Sequence, residues 1–375
     1  MRELVAVALV LLGSLTMCFG RQGKHSDRFP MVVDGKYGYM DRTGSVVKPQ
    51  FDSAASFSDG LALVKTGGSY RYIDASGRPA FAGEYENAVG FSENLASVLL
   101  HDCGGGWGVI TRTGKVISRL RTSRPVVFSD GRGRFGGWVG PLGYIDRAGD
   151  TVIKPVYPYP AGSFSEGLAS VYVGGHQGYI NKAGRVIIKG FDWVGDFHEG
   201  LAFFMDEGNP PDRWGYINKT GKVVIKPQFE KVGNFSEGLA PVKIDGKWGY
   251  IDRIGRMVIT PQFAEVRSFS EGLAAVKVGD GPLWRLDVGG DELRRSREGG
   301  GSGFGYIDKT GKMVIRPQFE RASDFSDGLA QVWVGGGTRW GAHGERWLPQ
   351  QRSGASQYVD SYRWGYIYKT GKYVW

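Results

Sequence analysis

Few residues in this chain have both the type and the spacing to do chemistry. The five histidines, His25, His101, His176, His198 and His343, stand far apart, without the intervals of a metal site. The two cysteines, Cys18 and Cys103, each lack the nearby cysteine of a redox or zinc pair. There is no nucleophile elbow and no phosphate-cradling glycine loop, since Gly104-Gly105-Gly106 reads as a hairpin turn. Two acids do recur, the Asp of Tyr-Ile-Asp and the Glu of Phe-Ser-Glu-Gly, and a carboxylate pair is the chemistry they suggest. Their return at turn positions in copy after copy assigns them to turn capping instead. One acid per turn also falls short of a calcium loop. The sequence thus predicts no catalytic residue, no metal ligand and no cofactor. A glycan-processing enzyme would need a unique carboxylate pair, for which Asp291 or Glu292 with Glu345 are the candidates.

The elements that carry these residues are repeats. The seventh copy begins at Leu239 (LAPVKIDGKWGYIDRIGRMVITPQF), and the WGYID segment returns at Tyr37, Tyr70, Trp107, Leu142, Gln177, Trp214, Trp248, Phe304 and Trp364. Adjacent copies are 33 to 37 residues apart until two late insertions intervene. A second motif, FSEGLA, lies between them, with a decayed form, FSDGRG, at Phe128. Alternation along Trp214-Gly215-Tyr216-Ile217 is that of a strand, placing Trp and Tyr on one face and Ile on the other. Asp245-Gly246 is a hairpin signal, and Gly238 and Gly221 fall where a turn needs positive φ. Pro227 is expected to stop the ladder. Each module then reads as a three-stranded antiparallel meander, LAxVxI, WGYID, VVIKP, with no helical periodicity. A lone meander buries too little to be stable, so the modules must stack and the recurrent aromatics must form the core. The fold predicted is all-β: about nine meander modules in an open, curved tandem array, with a closed β-propeller as the alternative.

The residues Trp248-Gly249-Tyr250-Ile251-Asp252, Gly255 and Phe269-Ser270-Glu271-Gly272-Leu273-Ala274 resemble the bacterial WG (KWG) repeat family over almost everything from Phe29 to Trp375. That resemblance implies an exported or surface-associated bacterial repeat protein. The hairpin also resembles, more weakly, the choline-binding cell-wall repeats, which are shorter and lack FSEGLA. Departures from the pattern are Arg71 in place of Gly, the missing Pro-Gln-Phe after Val116, and FSDGRG.

Composition narrows the partners. The net charge of +9 is spread over fixed turn positions, which excludes the clustered basic face of a nucleic-acid binder. Glycine is abundant (61 residues) beside 13% aromatics, a balance that suits short strands and tight turns and not disorder. Arg2 and the apolar run Leu4 to Leu12 match a signal peptide and are too short to span a bilayer. Residues 1–20 are therefore read as a signal peptide, 21–28 as a short linker and 29–375 as the repeat domain. Cleavage after Gly20 is the simpler route; the alternative is a lipoprotein with its lipid on Cys18, which would be the chain's one link to a membrane. The insertions at 279–303 and 335–362 both fall between the LAxV and WG strands, so they should gather on one rim. Their Trp284, Arg285, Arg294, Arg295, Arg297, Arg339, Trp340, Arg346 and Trp347 are of the types that anchor interfaces. The function expected is a non-enzymatic interaction or scaffolding module for a protein or cell-envelope glycan partner, located in the periplasm, on the cell surface or outside the cell.

Overall fold

The computed structural model describes residues 28–42, 44, 46–100, 106–137, 140–205, 213–279, 303–334, 339–340, 346–347 and 363–374. Among them are nine antiparallel sheets of three or four strands, following one another along the chain, and no helix. Arg339–Trp340 and Arg346–Trp347 form a separate two-stranded ribbon. The tandem array of meanders is therefore the architecture. In the seventh module the strands are Lys231–Val232, Leu239–Ile244, Lys247–Asp252 and Met257–Phe263, hydrogen-bonded in that order. The short first strand is an addition to the three that the repeat predicts.

The turns follow from their chemistry. Asp245 and Gly246 both take positive φ (49° and 75°), the two-residue hairpin geometry whose twist suits flanking strands. Asp252 Oδ1 accepts the backbone N–H of Ile254 (3.0 Å) and Arg256 (2.9 Å), while Gly255 turns the chain at φ 86°.

Both faces of each sheet are buried, because each packs against a neighbour on either side. Tyr250 and Ile251 point to opposite faces, and both are 0% exposed. Ile251 packs with Ile225 and Phe235 towards the preceding module; Tyr250 packs with Ile259, Phe263, Phe269 and Ile307 towards the next. The Tyr250 ring meets Phe269 edge-on at 4.9 Å, and its hydroxyl donates to Arg267 O at 2.7 Å. The same bond recurs from Tyr216 to Gly233 O and from Tyr306 to Ser323 O. Burying one such ring removes roughly 150–250 Å² from water and is worth about 4–6 kcal/mol before conformational entropy is counted. The tryptophans lie further out. Trp248 is half-buried at the margin of this core, as are Trp214 and Trp364, and of the WG tryptophans only Trp107 is fully buried. Of the aromatics expected to form the core, the indole is thus at its edge, and the tyrosine two residues on holds the centre.

Pro227 does not end its strand, which runs from Val223 to Phe229. The pairing steps from Trp214↔Phe229 to Tyr216↔Ile225, so the segment around Pro227 bulges over Gly215. A Cβ on Gly215 would overlap Ile225 O and lie 2.7 Å from Pro227 N. The Gly of WG and the Pro of KPQF are therefore one feature. In the second module, where Arg71 stands in place of the glycine, no full crossing strand forms and the returning segment pairs only through the bridges Ile73↔Pro79 and Tyr70↔Tyr85.

The two ends of the array meet. Phe29 of the first module packs on Tyr366 of the ninth, ring centroids 5.5 Å apart. The Arg42 guanidinium of the first lies beside Gly328 of the ninth, as that of Arg253 lies beside Gly200 between the sixth and seventh modules. Of the two arrangements open to the sequence, this contact belongs to the closed one.

Candidate functional site

The FSEG turn and the DxxG turn of a module lie at the same sheet end, since Leu239 pairs with Asp252. Glu237 takes positive φ (55°) together with Gly238 (85°), so the turn needs positive φ at two positions where the sequence suggested one, and the one at Glu237 is strained. The strain is offset by what the carboxylate reaches. Glu237 accepts the backbone N–H of Gly272 at 3.0 Å and pairs with Lys309 at 3.1 Å, both in the next module. Glu271 does the same with Gly328 N and Lys369, and Glu166 with Gly200 N and Lys219. Burial would raise the Glu166 carboxyl, but Lys219 and the Gly200 N–H outweigh it and hold it below the ordinary range. The serines add a parallel ladder: Ser236 donates to Phe269 O and Ser270 to Phe325 O. The recurrent Asp caps its own turn, as expected. The recurrent Glu fastens one module to the next, a long-range role that local spacing does not disclose.

Two places break this regularity. The first is the position before the FSEG phenylalanine, which is Ser163 or Ser268 in other modules but Asp196 in the sixth and Asp324 in the ninth. Burial pushes both carboxyls above the ordinary aspartate range, against the pull of Arg267 on Asp324 and of His198 and Arg134 on Asp196. Asp324 Oδ1 is buried and accepts no hydrogen bond. A raised carboxyl opposes folding once ionised, so the penalty is fully present above the folded pKa and disappears below the unfolded value of about 3.9. Asp324→Asn, which copies Asn234 of the seventh module, is expected to raise Tm at neutral pH and to leave it unchanged near pH 3. Calorimetric scans at the two pH values measure this.

The second break is the decayed FSDGRG. Here an open cleft of about 420 Å³ is lined by Asp130, Arg132, Asp146, Arg147 and Lys182, among others. It sits at the turn end, where the third, fourth and fifth modules are laced together: Arg147 reaches back to Glu93 at 2.8 Å and Lys182 to Asp130 at 2.7 Å. Among the described residues no group of three or more His, Cys, Asp or Glu is placed to hold a metal ion.

The insertions leave their sheets at the opposite end. The eighth module's opens after the pair Val278↔Gly303, and the ninth module's after Val334↔Arg363, so their roots lie on one side of neighbouring sheets. Arg339 and Trp340 pair with Trp347 and Arg346 in the backbone ribbon. Trp284, Arg285, Arg294, Arg295 and Arg297 lie outside the described residues, as do Cys18, the segment read as a signal peptide, and Asp291, Glu292 and Glu345. Of the predicted rim, the structure describes only the backbone of Arg339, Trp340, Arg346 and Trp347. It adds Asp196, Asp324 and Arg132, which sequence reading missed; the signal for Arg132 was the decay of FSDGRG, noted only as an irregularity.

These features define a class, a stack of β-meander modules whose motif residues are spent on joining neighbours. The chain belongs to the WG containing repeat family, whose model matches residues 37–70, 70–102, 143–175, 178–209, 214–248, 248–281 and 304–336. Among solved structures, it is similar to a crystal structure of the eukaryotic initiation factor, with TM-score 0.57 and 12% identity over 93% of this chain and 95% of that one. It is also similar to BamB from Moraxella catarrhalis, with TM-score 0.39 and 11% identity over 68% of this chain and 94% of that one. The first likeness concerns the fold alone, and the second carries no argument. No curated protein matches the sequence.

Proposed function

We propose that this protein is a non-enzymatic interaction module, exported from the cell, that holds a protein or cell-envelope partner on the rim carrying its two long insertions. What carries the reading is a division of labour. The recurrent carboxylates, hydroxyls and cations of the turn end are committed to cross-module bonds, of which Glu237 with Gly272 and Lys309 is one. The insertions depart from the repeat, leave neighbouring sheets on one side and concentrate Arg and Trp, the side chains enriched at binding hot spots. Export rests on the apolar run Leu4 to Leu12.

Deleting residues 281–301 tests this. The seventh module joins the equivalent strands through Asp245-Gly246 alone, so a short connection suffices, and shortening a loop costs nothing in closure entropy. The deletion is expected to keep the strand-rich circular dichroism and the Tm of the parent while losing the partner captured from envelope extract. Equal recovery of that partner by both proteins would remove the rim from consideration.

A further inference from the structure

At the first position of the LAxV strand seven of the nine modules carry leucine, from Leu61 to Leu329, each 3% to 8% exposed. The fourth module places Arg132 there, in the register that Leu239 occupies in the seventh: Gly133 pairs with Ile145 as Ala240 pairs with Ile251, and Ser129 with Arg132 as Ser236 with Leu239. The first module also departs, with Arg28, but it lies where the described chain begins. A guanidinium cannot replace a core leucine without partners for its charge. Arg132 lines the cleft instead, donating from Nη1 to Gly131 O (3.0 Å) and from Nη2 to Lys182 O (3.4 Å), with Nε buried and unpartnered. Of its five N–H donors, only these two meet acceptors, and both acceptors are uncharged.

The neighbouring charges are already spoken for. Asp130 accepts Lys182 on Oδ1 and the Gly167 N–H on Oδ2, Asp146 Oδ1 caps its own turn, and Arg147 is held by Glu93. The cleft is thus lined by three cations, Arg132, Arg147 and Lys182, and two carboxylates, Asp130 and Asp146; with Glu93 on Arg147 the charges balance in number, but Arg132 is the cation that no carboxylate holds. We infer that this cleft binds a small oxyanion, a phosphate group or a carboxylate, with Arg132 as its main ligand and Arg147 and Lys182 beside it. A planar guanidinium is suited to such groups, and Arg132 stands in the decayed FSDGRG turn that lines the cleft.

The variant that decides this is Arg132→Leu, because leucine is what the array accommodates at this register elsewhere. It is expected to fold with a Tm equal to or above that of the parent, so lost binding cannot be ascribed to unfolding. Titration calorimetry with inorganic phosphate, and separately with citrate, at ionic strength held constant with chloride, reads the site. The parent should bind one anion, and Arg132→Leu should weaken it by about tenfold or more, the size expected for charged hydrogen bonds. Tighter binding of phosphate than of citrate would assign the site to phosphate groups, and the reverse to carboxylates. Binding of equal strength to both proteins, or no heat with either anion from the parent, would overturn the inference and leave Arg132 as a plug on two carbonyls.

Discussion

Tyr250→Ala is expected to cost about 3–5 kcal/mol, the range for emptying a fully buried aromatic site. The ring is 0% exposed among Ile259, Phe263 and Phe269, and the change also strands Arg267 O without its donor. Trp248→Ala, two residues away on the same strand, should cost only about 1–2 kcal/mol, because its half-buried indole removes less area from water on folding. Urea denaturation of the two variants beside the parent measures the difference. A larger loss at Trp248 than at Tyr250 would mean that the indole, and not the phenol, centres the module.

Gly249→Ala should be nearly as damaging, at about 3 kcal/mol or more, although it adds a single methyl group. The new Cβ would overlap Ile259 O and come within 2.8 Å of Pro261 N and 2.9 Å of Thr260 C. These are backbone atoms of the crossing strand, so no rotamer change relieves the contact. The crossing segment must lift, breaking the pairs Trp248↔Phe263 and Tyr250↔Ile259 that flank it. Thermal denaturation of the variant checks this. A Tm within a degree or two of the parent would show that the bulge has slack.

Much of this architecture was legible in the residues. Short-range chemistry announces itself: Asp245-Gly246 as a hairpin, Asp252 with Gly255 as a capped turn, nine returns of one motif as nine modules. What stayed hidden depends on residues distant in sequence. Alternation assigns Tyr250 and Ile251 to opposite faces but cannot tell that both faces are covered, since the second cover comes from another module. Glu237 looks like a turn residue because its partners, Gly272 and Lys309, are 35 and 72 positions away. Pro227 looks like a strand terminator because the glycine it arches over lies on a different strand. Arg132 looked like decay for the same reason: its meaning depends on Lys182, a module further on. The rim was legible only as a location, because spacing marks where an insertion leaves a sheet and not how its side chains are arranged.

Modules too small to be stable alone are held by neighbours on both sides, the first and ninth included. Phe29 against Tyr366 is the contact that supplies their missing neighbours. Pulsed electron paramagnetic resonance tests it most directly, with spin labels at Lys48→Cys and Lys372→Cys in a background where Cys18 and Cys103 are serine. These exposed sites lie on the first and ninth modules. A single narrow, short distance, matching that measured for an equivalent pair on two adjacent internal modules, is the predicted result. A long or broad distribution, as from the two free ends of an arc, would contradict it.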